Sequence, residues 1–421
     1  MSAAEALRPA HNDRPLKIAL LGYRSNPYSG GQGVYVKFLS RALVEAGHQV
    51  DVISGEPYPD LCDEVRLIKL PGLNLYAHDN HVRALRPGHF RSATDLFEYF
   101  STLTGGFPEP YTFGRRLVRQ LGTVLQDYDL IHDNQSLCHG LIDLQKRRLP
   151  LVCTIHHPIT WDRDIALAHA SKWGDRLLIR RWHHFLAMQT KVARRLKHIV
   201  TVSESSRRDI SSAFDLSLDR IAVVYNGIDS ETFRPEPAIE RKPNQLITTA
   251  SADAPLKGTQ HLIPAFAKLR AHYPDLKLTF IGRPKTGGKT ENLIRQYGVG
   301  DAIRFVHGIS TDQIRALYAE STVAVVPSEY EGFGLPAGEA MACQVPVVST
   351  DGGALPEVVG DAGIIVPVGD VNGLAAGIAR FLDDPDLRAR QGVQGRQRVQ
   401  RLFNWERTAQ QMTAYYRQVL E

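Results

Sequence analysis

Cysteine is scarce in this chain: Cys62, Cys138, Cys153 and Cys343 are the only four among 421 residues, and no two form a Cys-x-x-Cys pair. That spacing excludes a zinc ribbon and a disulfide framework and suits a reducing compartment, so a cytoplasmic setting is expected. No apolar run approaches the roughly 18 residues a membrane span needs. The polar opening MSAAEALRPAHNDRP also lacks the apolar core of a signal peptide. Membrane contact is therefore expected to be peripheral at most. Charge of one sign is weak as well, with 50 Lys and Arg against 45 Asp and Glu. All of the excess is N-terminal: residues 1–228 carry 29 bases against 23 acids. No recognition helix or aromatic-plus-basic module accompanies it, which excludes nucleic acid as an expected partner.

What remains is an ordinary globular composition, 43% hydrophobic and 23% charged, in a chain too long for one typical core. Two domains are expected. KIALLGY (17–23) reads as a buried strand, RSNPYSGGQG (24–33) as a glycine-rich loop, and 34–46 as a helix. Val34, Phe38, Ala42 and Ala46 recur at every fourth position of that helix. Gly47 ends it and QVDVIS resumes as strand. Apolar runs at 127–132, 150–155, 198–203 and 221–224 continue a doubly wound α/β pattern. The polar, proline-bearing segment 226–244 reads as a linker. Strands are expected again at 245–250, 277–281, 303–307, 322–327, 345–350 and 363–366. The domains expected are 1–228, with residues 1–15 flexible, and 229–404, facing each other across a cleft. Residues 74–120 resist this reading. Loop-like, aromatic and in places basic, they read as a mobile lid on an acceptor side.

The segment richest in chemistry is SEYEGFGLPAGEAMACQVPVVSTDGG, 328–353. A strand delivers a loop, and a helix beginning near Leu335 presents its free amide groups at the strand's C-terminal end, which favours an anion. Gly332 and Gly334 allow a ligand close to the backbone. Glu331 precedes the helix and Glu339 lies about one turn inside it, so two carboxylates face one cleft at different depths. Carboxylates accept hydrogen bonds from vicinal hydroxyls, the groups a sugar or ribose offers. The glycine loop GGQG does not supply the G-x-G-x-x-G spacing of a dinucleotide fingerprint.

Ser328, Glu331, Phe333, Gly334, Glu339, Ala340, Met341 and Ala342 closely resemble the E-x7-E signature of family 4 retaining glycosyltransferases, the phosphatidylinositol mannosyltransferase and glycogen synthase-like group. The resemblance runs through nearly the whole chain. It includes Gly30-Gly31, TIHHP around His156, VVYNGID at 223–229, DAPLKG around Lys257 and GGALPEVV from Gly352. It implies the GT-B fold, two Rossmann-like doubly wound domains facing a central cleft, with helix 405–421 crossing back to the first. It also implies hexose transfer, glucose or mannose, from a nucleoside diphosphate sugar with retention and without an essential metal or other cofactor. The acceptor would be a glycan, a lipid-linked sugar or a small molecule.

By the same resemblance Glu331 holds the donor sugar's hydroxyls, the backbone of Phe333, Gly334 and Leu335 contacts sugar and diphosphate, and Glu339 holds the ribose. Lys257 is the cation on the diphosphate, whose charge grows as the glycosidic bond breaks. Gly30 and Gly31 face the donor pocket, and His156 lies near the reacting sugar carbon. His157 is a lesser candidate. The family's arginine shortly before the lysine is missing, since Thr249-Ala250-Ser251-Ala252 occupies that stretch. Arg283, after strand 277–281, stands as its substitute, with Lys285 behind it.

Residues 172–198 carry Lys172, Arg176, Arg180, Arg181, Lys191, Arg194, Arg195 and Lys197 against one acid, Asp175, interleaved with Trp173, Leu177, Leu178, Trp182, Phe185 and Leu186. Such a stretch lies on an anionic membrane, meets an acidic acceptor, or packs on the core with a solvated basic face. Competing readings of the whole chain are a sugar-nucleotide epimerase or phosphorylase of the same fold, and a nucleotide-sugar-binding protein with weakened catalysis.

Overall fold

A computed structural model of the chain describes residues 14–27, 31–78, 80, 82, 84–170 and 172–421. Most of the opening segment and Gly30 lie outside the described residues. The first half lays down β1 (Lys17–Gly22), α1 (Gly31–Glu45), β2 (Gln49–Ser54) and β3 (Arg66–Lys69). Helices α2 (Ala93–Leu103) and α3 (Glu109–Leu121) precede β4 (Leu130–Asn134), α4 (His139–Lys146) and β5 (Leu151–Thr154). Then come α5 (Thr160–Ala168), α6 (Trp173–Trp182), α7 (Leu186–Ala193), β6 (His198–Thr201), α8 (Glu204–Phe214) and β7 (Ile221–Val223).

The second half alternates strand and helix throughout: β8 (Gln245–Thr249), α9 (Thr259–Arg270), β9 (Lys277–Ile281), α10 (Lys289–Tyr297), β10 (Ile303–Val306) and α11 (Thr311–Glu320). It continues with β11 (Val323–Val326), α12 (Leu335–Ala342), β12 (Val347–Thr350), α13 (Leu355–Val359) and β13 (Gly363–Val366). Three helices close the chain, α14 (Val371–Asp383), α15 (Pro385–Leu402) and α16 (Trp405–Leu420).

Two parallel sheets result, ordered β3-β2-β1-β4-β5-β6-β7 and β10-β9-β8-β11-β12-β13. Helices cover both faces, which is why central strands such as β1 and β11 are unbroken apolar runs. In each sheet the strand order reverses once, between β1 and β4 and between β8 and β11. Ligands bind in the crevice outside the carboxyl ends of the strands at such reversals. The loop bearing Lys257 leaves β8, and the loop bearing Glu331 leaves β11.

The last helix lies on the core of the first sheet. Trp405 stacks on Phe38 of α1 with ring centroids 5.6 Å apart, and Met412 and Tyr416 are fully buried. The crossing is pinned by Ile228 N–H donating to the Phe403 carbonyl at 2.8 Å and by Thr408 Oγ1 donating to the Tyr225 carbonyl at 2.9 Å.

Residues 74–120 differ from the loop expected there, because two helices, α2 and α3, run through their second half. Phe113, Leu117, Val118 and Leu121 of α3 pack on the core, and a buried ion cluster ties α2 to that helix. Arg116 of α3 pairs with Asp95 and, at 2.6 Å, with Glu98 of α2, and Thr112 Oγ1 donates to the same Glu98 at 2.6 Å. The helix expected over 34–46 starts three residues earlier at Gly31, and β3 was absent from the expected strands. The basic stretch is two helices, α6 and α7. Phe185 and Leu186 turn inward, while Trp173, Leu177 and Leu178 are exposed. Among the described residues no helix is long and apolar enough to cross a membrane.

Candidate active site

The second-domain half of the site is built around one ion pair. Lys257 Nζ donates to Glu331 Oε1 at 2.6 Å, and Ser328 Oγ donates to the same oxygen at 2.8 Å. Both partners use Oε1, so Oε2 is left to accept from a ligand, and an ammonium with three N–H donors keeps two. Lys257 closes a single turn of 3-10 helix, and Gly258 follows it at φ +68°. Only glycine fits there: a Cβ would lie 1.7 Å from the Pro327 carbonyl oxygen, where the loop after β11 passes. The two loops are further joined by Glu329 N–H donating to the Leu256 carbonyl at 2.8 Å.

Helix α12 opens at Leu335, with Gly334 in the left-handed region before it and Pro336 at its second position. Pro336 has no N–H, and Ala337 and Gly338 N–H donate to the Gly334 carbonyl at 3.1 and 3.3 Å, so among the described residues of the first turn the Leu335 N–H is left for a ligand, beside the positive end of the helix. Phe333 is buried with its ring edge-on to Phe403 at 5.6 Å, so its side chain anchors the loop and only its backbone is offered. Glu339 lies in the middle of α12. Burial raises its pKa to about 7, reinforced by Asp229, and no hydrogen bond from a described residue offsets the shift.

The first domain contributes the turn after β5. His156 Nε2 meets Asn134 Oδ1 at 2.6 Å, while Asn134 Nδ2 donates to the Gln32 carbonyl at 3.2 Å. The amide oxygen can only accept, so the imidazole donates through Nε2 and its Nδ1 is unprotonated. Burial, with His157 and His132 nearby, holds the group down at about 3, so it is neutral. The ring sits edge-on to Tyr35 at 4.7 Å. Gln135 clamps the following main chain from both sides, accepting from His156 N–H at 2.7 Å and donating to the His157 carbonyl at 2.7 Å. Gln135 holds φ +52°, a conformation that stores strain in a non-glycine residue.

Strand alternation continued past β5 would point His157 away from His156. The strand ends at Thr154, and His157 turns instead toward Gly332 of the second domain. Burial opposes a charge on it, but Asp162, 2.8 Å from Nε2, outweighs burial and raises the pKa above its ordinary value. Gly31 starts α1 with open space around it. The glycine this loop requires is Gly33, where a Cβ would fall 2.0 Å from the Asn26 carbonyl oxygen. Arg283 is exposed, on a loop that Asp253 ties to the Lys257 side by accepting from Lys285 N–H at 2.5 Å and Thr290 N–H at 3.0 Å. Lys285 is exposed as well.

Contacts between the domains hold these halves together. Ser203 and Ser206 donate to the Gly332 carbonyl at 2.8 and 3.0 Å. The Glu357 carboxylate accepts the first backbone N–H groups of α8, Glu204 at 2.8 Å and Ser205 at 2.6 Å, a cap supplied by the opposite domain. Tyr330 stacks on Trp161 and donates to Asp209 at 2.8 Å. None of these bridging residues announces itself in sequence beyond the Ser-x-x-Ser spacing that caps α8.

Comparison with known proteins agrees with this geometry. Residues 29–232 match the model of Glycosyltransferase Family 4, and residues 229–398 match that of Glycosyl transferases group 1. The chain is 44% identical over 410 residues to MMP alpha-(1->4)-mannosyltransferase of Mycolicibacterium hassiacum, covering 96% of this chain and 98% of that one. It is 31% identical to glycogen synthase of Mycobacterium tuberculosis, covering 94% and 92%. The solved sucrose-phosphate synthase of Thermosynechococcus elongatus superposes with a TM-score of 0.71 at 26% identity, covering 96% of this chain and 99% of that one. These relatives transfer or polymerise sugars, and they do not favour the epimerase, phosphorylase or binding-protein readings. Two Rossmann-like domains, the matched family models and the relatives together establish that this chain belongs to glycosyltransferase family 4 and is a hexosyltransferase of the GT-B fold.

Proposed function

We propose that the chain transfers mannose, with retention, from a nucleoside diphosphate mannose to the 4-hydroxyl of a glycan acceptor. The observation that carries the donor half is the Lys257–Glu331 pair at the mouth of α12, opposite His156. Sugar and linkage follow the printed activity of the relative that is 44% identical. In this reading Lys257 and the N-terminus of α12 hold the diphosphate, and their attraction strengthens as the leaving group gains charge. Glu331 Oε2 and the backbone of Gly334 and Leu335 hold the sugar, and Glu339 takes the ribose hydroxyls. His156, neutral and oriented by Asn134, lies against the reacting carbon. The leaving diphosphate takes the acceptor proton on the same face, so the protein supplies position and field rather than a nucleophile. Positive charge comes from Lys257 and the helix N-terminus, and transfer is expected to persist in a chelator.

The test is transfer from GDP-, UDP- and ADP-linked mannose and glucose to a 4-linked oligomannoside, with and without EDTA, with the product's anomeric configuration read by NMR. An α-(1→4)-mannoside formed in EDTA is the expected product. A β-product, or glucose transfer alone, refutes the reading. Exposure of Trp173, Leu177 and Leu178 on α6 beside Arg180 supports a second reading, peripheral contact of that helix with an anionic membrane, tested by flotation with anionic vesicles.

A further inference from the structure

The first domain holds a groove of about 720 Å³ between α2, α3 and α7, lined by none of the donor-site residues described above. We infer that it binds the single alkyl chain of an anionic amphiphile, such as a long-chain carboxylate, as a site distinct from the donor pocket. The floor is apolar and largely aromatic: Phe97, Phe100, Phe107, Tyr111, Phe185 and Met188. Phe97 and Phe100 are 47% and 59% exposed, an uncommon position for two phenylalanines on one helix, and one that marks a binding surface.

The rim is cationic. Arg181 and Lys191 stand at it with the imidazoles of His139 and His184, and no carboxylate among the described residues lines the groove. Arg181 is fixed in place, its guanidinium donating to Thr104 Oγ1 at 2.7 Å. Lys191 is exposed. An apolar floor under a fixed positive rim complements a chain with one negative head. A glycan fits less well, because among the described residues no carboxylate or side-chain amide lines the groove and Thr104 Oγ1 is already engaged by Arg181. A bilayer surface fits less well too, since a plane does not fill a concavity. The inference concerns the first domain alone and does not depend on the donor assignments.

Calorimetry with octanoate, decanoate and laurate below their micellar concentrations tests it. Saturable binding with one site per chain is expected, tightening about fourfold for each added methylene until the groove is full. Ala187 is exposed and lines the groove, so Ala187→Trp is expected to weaken laurate at least tenfold with the melting temperature unchanged. Lys191→Glu is expected to weaken laurate several-fold and to leave uncharged decyl maltoside unaffected. Absence of saturable binding to the parent protein, or equal binding by Ala187→Trp, overturns the inference. Association only with vesicles overturns it in favour of membrane docking. A dimer that Phe100→Asp dissociates, with no laurate binding, overturns it in favour of a second copy covering the groove.

Discussion

Glu339 is a carboxylate of the candidate site whose protonation the fold shifts, and in its proposed ribose role it gives donor binding a pH dependence of predictable sign. Its pKa rises from an ordinary 4.5 to about 7, through burial first and Asp229 second. The native state therefore keeps this proton over a pH range in which the unfolded chain has released it. Its contribution to stability is complete below pH 4.5 and is lost as pH rises through 7. At 1.36 kcal/mol per pKa unit, the loss is about 3 kcal/mol. Ligand binding runs the other way. Ribose hydroxyls are donors, so the ionised carboxylate is the better acceptor. For a group titrating near 7, the ionised fraction climbs from roughly one-tenth at pH 6 to roughly nine-tenths at pH 8. Affinity for a nucleoside diphosphate sugar, which has no group titrating in that interval, should tighten by up to about tenfold. Glu339→Gln keeps an acceptor but no charge. It should bind about 1–2 kcal/mol more weakly at pH 8, lose the slope, and unfold in urea with less loss of stability toward pH 7 than the parent. Calorimetry at pH 6, 7 and 8, paired with urea titrations, measures both. A pH dependence of affinity that is the same in Glu339→Gln as in the parent refutes the ribose assignment.

Three other outcomes follow from the same geometry. Lys257→Ala should lower kcat by roughly 10²–10³, the scale of removing one preorganised electrostatic contact; near-normal turnover by the folded variant would remove its diphosphate role. Gln135→Ala strips the clamp from His156 and His157 and should cut kcat at least tenfold while the donor Kd stays within about twofold, with Gln135→Glu intermediate because it keeps the acceptor and loses the donor. Gly258→Ala forces a Cβ into the Pro327 carbonyl at a positive φ and should destabilise by about 2–4 kcal/mol, read as a fall in Tm; an unchanged Tm would mean that the two loops can part.

The legible parts of this molecule are those whose physics is local. β1 and β11 are short apolar runs because parallel strands are buried on both faces, and that burial needs no knowledge of partners. Segment 328–353 is legible because two carboxylates, two glycines and a helix start fall within a dozen residues. The rest depends on distant groups. α2 and α3 are held by Arg116 reaching Asp95 and Glu98 some twenty residues away, a bond no periodicity announces. Gly33 rather than Gly31 is required because the Asn26 carbonyl passes over it, and that approach exists only after the loop has folded. His157 defeats strand alternation because the strand stops three residues before it, and its neighbours then come from the other domain.

That same residue bears on the missing arginine. Without a second cation in the stretch 249–252, a diphosphate at Lys257 meets one ammonium already paired with Glu331. A pair of opposite charges presents little net field at a distance, so the site's attraction for an anion rests on what surrounds the pair. The N-terminus of α12 supplies part of it. His157 supplies another, since Asp162 favours its charged form and Lys257 and Glu331 both lie within its electrostatic reach. It arrives on the opposite domain, against Gly332. In the proposed donor site the positive side is therefore complete only where the two domains meet, in the arrangement that Ser203, Ser206, Glu357 and Tyr330 hold. An arginine beside the lysine would hold the diphosphate in the open form as well; distributing the charge across the cleft instead ties firm donor binding to the closure that excludes water from the reaction.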